Sequence, residues 1–150
     1  MRPPNYKLNW FIPNQIAALT HFHPDVTFED ITGVIHTGQE LLSHVENEFH
    51  IIIDNRVVDM SSPVSLQQMR QMVPYMSHPL LRWVVVVKPD SLALDVTHLP
   101  TEKEGETRLK NVSSLEEALS FLREAHTDLE WPQADTAFFP HAEIKELVSR

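Results

Sequence analysis

Residues 49–63 read Phe49-His50-Ile51-Ile52-Ile53-Asp54-Asn55-Arg56-Val57-Val58-Asp59-Met60-Ser61-Ser62-Pro63. Phe49 to Ile53 is a short, continuous apolar run rich in β-branched residues. Such a run fits a central strand covered on both faces. Asp54 closes it with a carboxylate, and a short loop follows. Ser61, Ser62 and Pro63 then carry the marks of a helix opening: hydroxyls that cap, and a proline suited to the first turn. In an open α/β sheet a junction of this kind is where ligands and partners meet the fold.

Working outward toward the N-terminus, Thr27 to Val45 has a 3.6-residue apolar stripe at Ile31, Val34, Ile35, Leu41, Leu42 and Val45. Thr27 with Asp30 reads as its cap, and Glu29 and Asp30 suit the positive end of the helix dipole. Gly33 and Gly38 inside this helix cost about 1 kcal/mol each relative to alanine, and close packing of the helix against the sheet is the expected reason for them. Before the helix, Tyr6, Leu8, Trp10 and Ile12 alternate on one face of a strand over 5–12. Pro13-Asn14 is a turn, and Gln15 to Phe22 reads as an antiparallel partner strand.

Toward the C-terminus, Leu66, Met69, Met72 or Val73, and Met76 form an inward stripe, with Gln67, Gln68, Arg70 and Gln71 outward. The methionines read as core rather than as a binding groove. Pro74 ends or kinks that helix. Leu81 to Val87 is a second buried strand, and Thr107 to Val112 a last strand at the sheet edge. Between them, Ser91 to Leu99 has room for a short helix, and Glu102 to Glu106 reads as loop. Ser113 to Glu117 opens a final helix with its apolar face at Leu115, Ala118, Leu119 and Leu122. The expected fold class is therefore α/β, a mixed β-sheet with α-helices packed over it. Residues 1–126 form the domain and 127–150 a C-terminal extension with a short helix from His141 to Val148. Trp131, Phe138 and Phe139 in that extension either fold back or pair with a second copy, as a homodimer.

Composition removes several functions. The chain has 150 residues, 21 acidic and 12 basic side chains, and a formal net charge of -9. No Lys/Arg cluster faces nucleic-acid phosphates, so no nucleic acid is expected as partner. The three glycines, Gly33, Gly38 and Gly105, do not lie at a strand-to-helix turn, which argues against phosphate loops and dinucleotide fingerprints. Cysteine is absent, which excludes disulfides and thiolate sites. No apolar run spans a bilayer or resembles a signal peptide, so the expectation is a cytoplasmic protein with no membrane partner.

Several stretches together resemble the STAS domain, the fold of SpoIIAA-like anti-sigma factor antagonists, and in particular uncharacterised bacterial STAS-like proteins. These are Thr27-Phe28-Glu29-Asp30, the strand ending Ile52-Ile53-Asp54, His78-Pro79 before Trp83 to Val87, and Ser114 to Leu119. The resemblance covers roughly residues 5 to 125. It implies a regulatory, protein-interaction module, switched by phosphorylation of a serine at the helix opening. By position that serine is Ser62, with Ser61 adjacent. The implied partner is a protein, a kinase or an anti-sigma-like factor. Its docking surface is Asp54, Asn55, Arg56 and Asp59 in the loop, with Gln67, Arg70 and Gln71 on the next helix. Met60-Ser61-Ser62-Pro63 departs from the antagonists' Asp-Ser and glycine-containing turn.

Other chemistry is weaker. His21-Phe22-His23-Pro24-Asp25 has metal-like spacing but reads as a polar strand end. Asp54 and Lys88, both closing strands, resemble the acceptor and lysine of response-regulator receivers, but no acidic pair follows the first strand. Ser62 lacks a nucleophile elbow for a hydrolase triad, and helix capping is the plainer role for Ser61 or Ser62. No catalytic residue, metal or cofactor is assigned. A non-enzymatic interaction module leads; a small-molecule or lipid-binding module is the first alternative, and an enzyme of unknown reaction using Asp54 and histidines the second.

Overall fold

The computed structural model of the chain describes every residue except Met1, Arg2, Ser61, His141, Glu143 and Arg150. Asn14 takes a φ of 63°, a left-handed value that asparagine tolerates. There β1 (Lys7–Ile12) turns back as the antiparallel β2 (Ile16–Thr20). From β2 onward the sheet runs parallel through β3 (Phe49–Asp54), β4 (Leu81–Val87) and β6 (Thr107–Val112). A short β5 (Glu102–Glu104) pairs antiparallel with β6, and the strand order is β1-β2-β3-β4-β6-β5. The mixed sheet expected from the sequence is present, with six strands.

Helices cover both faces. The helices α1 (Phe28–Leu42) and α2 (Leu66–Met72), with a 3-10 turn at Pro74–Ser77, pack on Ala17, Leu19, Ile51, Ile53, Val84 and Val86. The helix α3 (Leu115–Ala125) and the short α4 (Lys145–Ser149) pack on the alternate residues, including Ile16, Ala18, Ile52, Val85 and Val87. This alternation is the period of a strand buried on both sides. Trp131, Phe138, Phe139, Ile144 and Val148 join the second cluster, so the C-terminal segment folds back on the sheet. Phe11 anchors it, with ring centroids 5.4–6.4 Å from Trp131, Phe138 and Phe139.

Several expectations need correction. The register slips between Trp10 and Ile12, so Ile12 does not share a face with Tyr6, Leu8 and Trp10. A bulge adds one residue and reverses the alternation after it. The helix after β3 does not open at Ser61-Ser62-Pro63: its N-cap is Ser65, whose side chain accepts from the Gln68 N–H while Gln68 Oε1 accepts from the Ser65 N–H. The reciprocal box outweighs hydroxyls next to a proline. Of Met72 and Val73, the alternatives for one inward position, Val73 packs against the core and Met72 is 55% exposed. The helix from Thr27 ends at Leu42, short of Val45. Finally, β6 is not the edge. Glu102 to Glu104, read as loop, forms the edge strand, and Gly105 (φ 61°) opens the two-residue hairpin turn to β6. Charge disguised this strand, yet charge is what an exposed edge tolerates. Residues 91–99 supply only a 3-10 turn, Val96–His98.

Main-chain groups of the outer strand β1 are partly engaged. The Trp10 N–H donates to Asn9 Oδ1 at 2.8 Å, and the Asp135 N–H donates to the Phe11 carbonyl at 2.9 Å.

Candidate functional site

Strand alternation carries Leu19 and Ile53 to the face covered by α1 and α2, and His21 and Asn55, just past the ends of β2 and β3, line the same space. Beyond the C-terminal ends of β2 and β3 the two layers part. They leave an apolar cleft of about 230 Å³. The helix α1 contributes Ile31 and Val34, the loop after β3 contributes Val58, Met60 and Val64, and the α2 region contributes Met69, Met72, Tyr75 and Met76. Open α/β sheets commonly bind ligands at this end. A shallower depression of about 300 Å³ beside Gln39, Ser43 and Ser77 lies away from the strand ends and gathers no comparable apolar wall.

One wall of the cleft depends on a glycine. A Cβ at Gly38 would overlap Cε1 and Cζ of Tyr75, so the missing side chain lets that ring lie against α1. The Tyr75 hydroxyl donates to the Val34 carbonyl at 3.4 Å, and burial raises its pKa above the ordinary value. Gly33 similarly makes room for Tyr6.

Besides the Tyr75 hydroxyl, which is engaged by Val34, the polar side chains in the wall are His21 and Asn55. His21 is 7% exposed, and its Nδ1 lies 3.1 Å from the Asn5 carbonyl. Burial lowers its pKa, outweighing that hydrogen bond and the Asp54 and Asp30 carboxylates, which act the other way. The imidazole is therefore neutral near pH 7. Because a carbonyl only accepts, Nδ1 carries the proton and Nε2 is left as an acceptor.

The His21-to-Asp25 cluster is organised by Asn5 instead. Its Nδ2 donates to the His23 and Asp25 carbonyls, and its Oδ1 accepts from the Phe22 and His23 N–H groups. The strand ends at Thr20, so His21 and His23 do not share a strand face; His21 is buried and His23 exposed. Among the described residues no group of three or more His, Asp or Glu side chains is placed to hold a metal ion.

The proposed docking residues divide. Asp54 is 2% exposed and accepts from Thr20 Oγ1 at 2.7 Å and from Arg56 Nε and Nη2, each at 2.9 Å. Arg56 also donates to the Pro140 carbonyl at 2.8 Å, tying this latch to the C-terminal segment. Asn55 is buried in the cleft wall. Arg70 donates to Ser77 Oγ and lies 3.8 Å from Glu104. Asp59, Gln67 and Gln71 are exposed. Ser62 is exposed and sits three residues before the helix cap; Ser61 lies outside the described residues. Lys88 Nζ donates to the Leu92 carbonyl at 2.8 Å, while the Asp54 oxygens accept from Thr20 and Arg56.

The sequence reading set Met69, Met72 and Met76 down as core rather than as a binding groove, and the cleft's residues come from five segments, none of which forms a motif. A signal was available: Met60, Met69, Met72 and Met76 are all the methionines of the chain after Met1. It also passed over His50, which is 3% exposed with its ring centroid 4.2 Å from that of His126. No described helix is long and apolar enough to cross a membrane. No protein-family model, curated protein or solved structure matches this chain.

Proposed function

We propose that this protein is a non-enzymatic binding module of STAS type that holds a small apolar molecule in the cleft between α1, α2 and the strand ends. The observation that carries the reading is the wall itself: four methionines and Tyr75 surround about 230 Å³ of space. A core of this size gains nothing from a void, because unfilled space forfeits packing contacts. Methionine is suited to lining an adaptable apolar site. The antiparallel start followed by parallel strands supports the STAS reading of the fold. Thermal unfolding with a panel of uncharged apolar compounds tests the function. A concentration-dependent rise in Tm is expected, and it should vanish in Val34→Phe, which fills the cleft. A panel that leaves the wild-type Tm unmoved removes the reading.

A second reading keeps the protein-interaction role. Phe28 is 82% exposed, Ile31 36% and Met72 55%, and the first two lie three residues apart on one helix face. In this reading the partner, a kinase or an anti-sigma-like factor, docks on that apolar rim, and phosphorylation of Ser62 or Ser61 controls it. A partner captured by the wild type but not by Phe28→Ser, together with a phosphate on residues 57–70 by peptide mapping, supports it. Equal capture by both proteins refutes it.

A further inference from the structure

We infer that the cleft takes an uncharged molecule built on a single aromatic ring system, about nine heavy atoms in size, bearing one N–H or O–H donor. The inference rests on the reading of the cleft as a binding site and adds the class of ligand.

Size comes first. A cavity of about 150 Å³ accommodates the six carbons of benzene, and pockets for drug-sized ligands start near 300 Å³. A volume of about 230 Å³ falls between them. Proportional scaling gives about nine heavy atoms, a bicyclic indole or a substituted phenol.

Charge comes second. No Lys, Arg, Asp or Glu lines the cleft among the described residues. The imidazole of His21 is neutral, so neither a carboxylate nor an ammonium finds a counter-ion here. An ion entering such a wall gives up its water without compensation. A neutral donor meets a better match, because Nδ1 of His21 is committed to the Asn5 carbonyl, which leaves Nε2 as an acceptor, and the Asn55 amide oxygen in the same wall is a second one.

Ring character comes third. Thioethers make favourable contacts with aromatic ring edges, and four of them border this space beside the ring of Tyr75. A flexible alkyl chain of equal volume forfeits those contacts and loses more rotamer freedom on being fixed. The half-exposed Met72 and Ile31 mark the side open to solvent, through which such a ligand enters.

The four methionines are also the reporters. The protein is labelled with 13C-methyl methionine, and the signals are assigned by single Met→Leu substitutions. It is then titrated in parallel with indole, 1-methylindole, octan-1-ol and octanoate. Indole should shift the signals of Met60, Met69, Met72 and Met76 saturably through its ring current. 1-Methylindole, lacking the donor, should bind roughly three- to tenfold more weakly, as the loss of one hydrogen bond requires. Octanoate should leave the four signals in place. If octan-1-ol or octanoate binds as tightly as indole, the assigned class is wrong while the cleft remains a binding site. If none of the four compounds moves these methyls, the binding-site reading itself fails.

Discussion

His50 should make the stability of this protein fall in mild acid, by an amount that one substitution isolates. Its ring is 3% exposed and lies tilted against His126, and Nδ1 has no hydrogen-bond partner among the described residues. Burial, helped by His126, pushes its pKa down to about 3; Asp128 opposes the shift and Arg82 adds to it. In the unfolded chain the imidazole titrates near 6.5. As pH falls below that value, the unfolded chain takes up a proton that the folded protein refuses. The contribution is therefore fully present above about pH 6.5 and is lost progressively as pH falls toward 3. At about pH 5, roughly 1.5 units below the unfolded pKa, the loss from this group is about 2 kcal/mol. Urea unfolding of the wild type and of His50→Leu, each at about pH 7.5 and about pH 5, measures it. The wild type should lose about 2 kcal/mol more than the variant between the two conditions. Other groups, including His21, whose burial acts in the same direction, cancel in the comparison. Equal losses in the two proteins would refute the argument, as would an NMR titration placing His50 near 6.5 in the folded state.

Removing Arg56 as alanine leaves the buried Asp54 carboxylate with only part of its partners and should cost about 3–5 kcal/mol in urea unfolding. The same change cuts the link to Pro140, so limited proteolysis should reach the C-terminal segment sooner. Gly38→Ala drives a methyl into Tyr75 and should cost about 1–3 kcal/mol; combined with Tyr75→Leu the penalties should be less than additive. Ser65→Ala should cost about 1 kcal/mol as the loss of an N-cap, whereas Ser62→Ala should stay within about 0.5 kcal/mol. The reverse order for the two serines would restore the helix start to Pro63.

What the sequence disclosed followed from periodicity. The runs Phe49 to Ile53 and Leu81 to Val87 could hardly be anything but strands covered on both faces, and the Thr27/Asp30 box places the start of α1 to the residue. Three features escaped because their signals are non-local or ambiguous. The bulge at Phe11 leaves no mark in composition, since Trp10, Phe11 and Ile12 are apolar whichever way they face. Ser61, Ser62 and Ser65 all offer hydroxyls, and only the partner at position 68 separates them. Asp54 was read as a group offered to a partner because it closes a strand. The arginine two residues later, which turns it into an internal latch, needed a side-chain direction that spacing does not give. The cleft was the least legible, because it exists only where two layers diverge.

The outer strands bear on how copies of this chain can meet. An unprotected strand edge is a template on which further chains polymerise. Here β5 offers three residues, Glu102, Lys103 and Glu104, whose charges would lose their water under an incoming apolar strand. On the other side, the Asn9 side chain and Asp135 already engage main-chain groups of Trp10 and Phe11, and the bulge disturbs the regular spacing an added strand must match. A sheet rich in valine and isoleucine, a composition that otherwise invites fibril growth, is thus guarded at both margins. Side chains on the helical surfaces therefore offer copies of this chain an easier meeting place than backbone ladders do.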